Sequence, residues 1–100
     1  MKSLSAVDLT SPKLPPQNVE AEQSVLGAIL LDNTAMAKVM ELLTDEEFYR
    51  TAHRKIYQAM LELAAGGRGI DNITLAAHLS ERGVLGTIGG AVYLAELVTA

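Results

Sequence analysis

The chain has 100 residues, 49% of them apolar and 20% charged, with no cysteine, no tryptophan and a formal net charge of −4. That length and balance allow one compact domain with a single modest core. The lack of cysteine excludes a disulfide framework and a thiolate metal site and fits a reducing, cytoplasmic setting, and no run of apolar or glycine residues, Val25 to Leu31 included, approaches the roughly 20 that span a bilayer.

Residues 1–16 mix Ser, Thr, Pro and isolated aliphatics without period, and Pro12, Pro15 and Pro16 exclude a helix, so a flexible arm without a signal-peptide core is expected there. Asn18 then caps a helix over Val19 to Leu31, with Glu20 and Glu22 at its positive end and Val25, Leu26, Ile29 and Leu30 on one face. Gly27 inside that helix costs about 1 kcal/mol relative to alanine, which is explained by the close approach of another helix.

Asp32 or Asn33 caps a second helix, Thr34 to Leu43, with a stripe of Met36, Val39, Met40 and Leu43. Thr44 and the acidic Asp45 to Glu47 start another helical turn anchored by Phe48 and Tyr49. A long helix from Thr51 to Ala65 follows, burying Ala52, Ile56, Ala59, Met60 and Leu63, and Gly66 and Gly67 end it with left-handed backbone.

Asp71 caps the next helix, with Ile70 and Leu75 at the spacing of a hydrophobic staple and Gly83 as the stop. Val84 to Gly90 reads as a loop, and Ala91 to Val98 as a final helix with Leu94, Leu97 and Val98 inward. Thr99 and Ala100 supply neither a polar tail nor a helix stop, so the chain is expected to be a piece of a longer protein. The fold class is all-α: a compact bundle of about five or six short helices over residues 17–100.

Little in this pattern supports chemistry. No lysine follows a glycine, so the GxxxxGK[ST] phosphate loop is absent. The GTIGG stretch at Gly86 to Gly90 lacks a leading strand and a lysine and reads as a helix connection. His53 and His78 have no second histidine or carboxylate at ligand spacing and read as satisfied or solvent-facing. Asp45, Glu46 and Glu47 need only the helix dipole. Catalytic, cofactor and metal residues are therefore expected to be none.

Candidate contacts to partners or neighbouring subunits are Arg50 and Arg54, one helical turn apart, together with Tyr93, Gly89 and Gly90. The two arginines read either as a solvated face or as a docking patch, with Glu46 and Glu47 in helical reach of Arg50. Tyr93 is an amphipathic side chain beside small, exposed neighbours.

LPPQNVEAEQSVLGAILLD from Leu14, EEFYRTAHRKIYQAML at Glu46 to Leu61, GIDNITLAAHL at Gly69 to Leu79 and IGGAVYLAEL at Ile88 to Leu97 form four ordered blocks. Together they resemble the small helical N-terminal domain of the DnaB-type bacterial replicative DNA helicases. One departure is Asn33, where that family often has proline.

The resemblance implies a parent that is a hexameric, ATP-dependent 5′ to 3′ helicase. Its ATP and magnesium would sit in a RecA-like domain outside this chain, and a helical hairpin and linker would also lie outside it. The N-terminal domains would form a collar of paired subunits where the C-terminal domain of primase docks. A helicase loader is a further implied partner, and single-stranded DNA would be reached only through the complete ring. From Asn18 onward, six Lys or Arg against eleven carboxylates leave −5, a poor match for a phosphate backbone. That weighs against the alternative, a small helix-turn-helix-like DNA-binding domain; a stand-alone enzyme is weaker still.

Overall fold

The computed structural model describes residues 18–99, and the arm expected over residues 1–16 lies outside them. Five α-helices and one 3-10 turn make up the described residues: α1 (Val19–Leu31), α2 (Thr34–Leu42), the 3-10 turn (Asp45–Glu47), α3 (Thr51–Ala65), α4 (Asn72–Glu81) and α5 (Gly90–Thr99). The class is the all-α bundle that the periodicity implies. α1 lies at its centre and packs against α2, α3 and α5, while α4 closes the bundle against α3 and α5.

Several helix ends fall where a specific group satisfies their free backbone. The Asn18 side chain accepts from the Ala21 amide at 2.9 Å and starts α1. Asp71 accepts from the Ile73 and Thr74 amides at 2.8 Å, and Thr74 returns the bond to the Asp71 amide, a capping box. The α4 end is a Schellman motif: the Gly83 amide reaches the Ser80 carbonyl and the Val84 amide reaches that of Leu79, with Gly83 at φ +75°. α3 ends in the same way, through Gly67 to Ala64 and Arg68 to Leu63. Only Gly67 is left-handed, at φ +71°; Gly66 sits at φ −85° and needs no glycine freedom.

The core gathers Leu26 and Ile29 of α1, Ile56, Met60 and Leu63 of α3, Leu75 and Leu79 of α4 and Leu94 of α5, all at most 1% exposed. Gly27 is the contact point between α1 and α5. A Cβ built there would collide with the Leu97 carbonyl oxygen, so the glycine permits the crossing that its position in the sequence implies. Phe48 packs on Tyr57 with ring centroids 5.0 Å apart, and the Tyr57 hydroxyl donates to the Leu43 carbonyl at 2.9 Å. Burial pushes the Tyr57 phenol up to about 12.

Several expectations need correction. Met40 is exposed, because α2 packs chiefly on α1 and Met36, Val39 and Leu43 already fill that contact. Tyr49 is also exposed: Phe48 has extended backbone, where successive side chains point to opposite sides, so only Phe48 enters the core. Asn33 makes no cap bond to α2. Asp32 accepts from the Thr34 amide and hydroxyl instead, and Asn33 donates to the Ile29 and Ile70 carbonyls and accepts from the Ile70 amide, pinning the α3–α4 connection to α1.

Candidate functional site

The most elaborate polar arrangement is a chain of side chains joining three helices at one end of the bundle. Glu22 of α1, fully buried, accepts from the Tyr49 amide at 2.5 Å and the Arg50 amide at 3.4 Å. Those amides lie immediately before α3, whose N-cap residue Arg50 makes no side-chain cap bond, so a carboxylate from a different helix anchors the entry into α3. His53, also fully buried, contacts the same carboxylate through Nδ1 at 2.7 Å and the Tyr93 hydroxyl through Nε2 at 2.6 Å. Gln23 donates to the Tyr93 hydroxyl at 3.1 Å, and the Tyr93 and His53 rings stack with centroids 5.9 Å apart.

These bonds fix the tautomer. A carboxylate only accepts, so Nδ1 must carry a hydrogen; Nε2 of the neutral ring is then an acceptor for the Tyr93 hydroxyl. Burial is the main cause that holds the His53 pKa below its ordinary value, with Arg50 adding to it and Glu22 opposing it.

Tyr93, Gly89 and Gly90 are brought together. Gly89, at φ +112°, lies against the Tyr93 side chain, where a Cβ would crowd the ring, and Gly90, at φ +76°, opens α5. Tyr93 is half-buried and turns its hydroxyl inward. Arg50 joins the same group only through its backbone; its side chain is exposed, and neither Glu46 nor Glu47 pairs with it among the described residues. The expected helical pairing fails because the 3-10 turn and the extended residues 48–50 break the helix between them. Arg54 donates to the Phe48 carbonyl at 2.6 Å, which stabilises the chain reversal before α3.

Glu22 and His53 are absent from the candidates that the sequence suggests, although both carry a signal. Glu22 lies at i−3 and i−4 from Val25 and Leu26, and His53 at i−3 and i−4 from Ile56 and Tyr57, so each places a titratable group on the buried face of its helix. A buried polar group needs a partner. The sequence does not say that each supplies the other.

Elsewhere, Glu62 pairs with His78 and with Arg82 on an exposed face. The Arg82 hydrogen bond, ahead of that from His78, holds the Glu62 carboxyl below its ordinary value. Among the described residues no group of three or more His, Asp or Glu could hold a metal ion, and no helix is long and apolar enough to cross a membrane. The cleft between Lys55, Gln58, Leu79 and Arg82 encloses about 70 Å³, and a larger depression between Leu30, Leu31, Asp71, Ile73 and Val98 about 300 Å³.

Comparison with known proteins agrees with this helical picture. The family described as the DnaB-like helicase N terminal domain matches residues 14–100. The replicative DNA helicase DnaB of Geobacillus stearothermophilus is 47% identical over 93 residues, which cover 93% of this chain and 20% of that protein. The replicative DNA helicase DnaC of Bacillus subtilis is 44% identical over 90 residues, 90% of this chain and 20% of that protein. The crystal structure of the N-terminal domain of DnaB helicase from Mycobacterium tuberculosis superposes with a TM-score of 0.82 at 49% identity, covering 85% of this chain and 62% of that one. The chain thus spans about a fifth of the length of those two curated relatives, and it belongs to the DnaB-like helicase N-terminal domain family.

Proposed function

We propose that residues 17–100 form part of the collar of a hexameric, ATP-dependent replicative DNA helicase, where they mediate subunit association and dock the C-terminal domain of primase. The observation that carries the reading is the family match over residues 14–100. The domain's acidity, the absence of a GxxxxGK[ST] motif from the sequence and, among the described residues, of a group that could hold a metal ion support a role in organising proteins.

In this reading ATP and magnesium act in the portion of the helicase outside this chain, at replication forks in the cytoplasm, and a loader is a further partner. Single-stranded DNA is reached through the whole ring. The contact surface is formed by Arg50, Arg54 and the Gly89–Gly90 loop, with Tyr93 shaping that loop from within. The helix-turn-helix-like alternative is not favoured, because α4, which follows the turn after α3, contains no Arg or Lys to meet phosphates.

Light scattering across a concentration series, for this chain and for the full-length helicase, each alone and with the C-terminal domain of primase, tests the reading. A stoichiometric primase complex that weakens in the full-length Arg50→Glu variant is expected. A full-length helicase that binds primase equally well after residues 18–99 are deleted would overturn it.

A further inference from the structure

We propose that His53 is the pivot of a proton-operated latch: neutral, it holds the start of α5 against α1 and α3 through Tyr93, and protonated, it releases that hold.

The hydrogen-bond chain runs in one direction, from Gln23 to the Tyr93 oxygen, from the Tyr93 hydroxyl to His53 Nε2, and from Nδ1–H to Glu22. Each hydrogen in it has an acceptor only while Nε2 is bare. A proton on Nε2 faces the Tyr93 oxygen, which then receives two donors, and the tyrosine hydrogen loses its acceptor. The charged and titratable groups set against His53 are Glu22 from α1, Arg50 before α3 and Tyr93 from α5.

Glu22 favours the imidazolium; burial, Arg50 and the free amides at the start of α3, where His53 is the third residue, oppose it. The imidazolium is therefore better accommodated once Tyr93 swings away and water reaches the ring. The backbone is built for that movement: Gly89 and Gly90, both left-handed, lie three or four residues before Tyr93, and the helix start they open carries the exposed Val92. Nothing in the helicase reading is needed for this device.

The sign follows from the lowered His53 value. The unfolded or opened state binds the proton more readily, so the closed state is fully stable above about pH 6.5 and loses stability as pH falls through that ordinary histidine value.

The test is imidazole 15N NMR and amide exchange on the 100-residue chain between about pH 8 and about pH 5, with exchange corrected for its intrinsic pH dependence. The expected result is an Nδ1–H tautomer at neutral pH. Protection of Leu94 to Leu97, whose amides bond back to the carbonyls of the first turn of α5, should then fall about tenfold on acidification relative to Leu75–Leu79 of α4. His53→Gln keeps a donor and an acceptor but cannot titrate, so in that variant the pH dependence should vanish.

An imidazolium or an Nε2–H tautomer at neutral pH would overturn the latch. So would α5 protection that ignores pH, or equal pH dependence in a folded His53→Gln variant. Should that variant fail to fold, the tautomer and exchange profile of the unaltered chain decide the matter.

Discussion

The two ends of α3 are held in opposite ways. Its C-terminal end is closed by its own sequence, where Gly67 and Arg68 fold back onto Ala64 and Leu63. Its N-terminal end depends on Glu22, 27 to 31 residues earlier in the chain, and through His53 on Tyr93, 40 residues later. The locally closed end forms as the helix forms. The other exists only once α1 and α5 are docked, so it couples the anchoring of a helix start to tertiary assembly and places a titratable group where assembly can sense it.

Glu22→Ala breaks this contrast most severely. It leaves two backbone amides and His53 Nδ1 without their acceptor and should cost about 3 kcal/mol in chemical denaturation. A loss under about 1 kcal/mol would mean that water replaces the carboxylate and that this end is no more demanding than the other. Gly27→Ala comes next: the added methyl meets the Leu97 carbonyl, so α1 and α5 must separate. A net loss of about 2 kcal/mol is expected despite the gain in helix propensity.

Gly67→Ala probes the local end. There is nothing within 4 Å for a methyl to strike, so only the left-handed backbone opposes it, at about 1 kcal/mol, and α5 exchange should be unchanged. The exposed Glu62 cluster gives the smallest effect. Its lowered carboxyl value means that its contribution is present above the ordinary carboxylate pKa and lost as pH falls through the folded value. Glu62→Gln should shift the neutral-pH denaturation midpoint by an amount equivalent to about 0.5 kcal/mol or less, and salt should shrink the difference further.

Much of the fold is legible in order along the chain. The bounds of α1 and α3, the Asp71 cap and the Gly83 stop depend on residues within a few positions of the backbone they satisfy, and the expected bounds of those helices agree with the structure. Met40 and Tyr49 were misplaced for a related reason. Apolar spacing reports that a face is available for burial, whereas the number of neighbours that cover it depends on packing elsewhere. The network was the least legible part. Its titratable members could be placed on buried faces, but their mutual contact spans 71 residues, from Glu22 to Tyr93.

The sequence by itself determined an all-helical domain, the Asn18 and Asp71 caps, the Gly83 stop, the tight crossing at Gly27 and, through four ordered motif blocks, the family. Each of these depends on short-range spacing or on residue identity in order. Only the tertiary structure decided that Glu22 anchors the entry into α3, that Asn33 pins the α3–α4 connection instead of starting α2, and that Tyr93 faces His53. Hydrogen bonds and burial between distant residues are set by how helices dock, and a one-dimensional pattern does not encode which buried polar groups will meet.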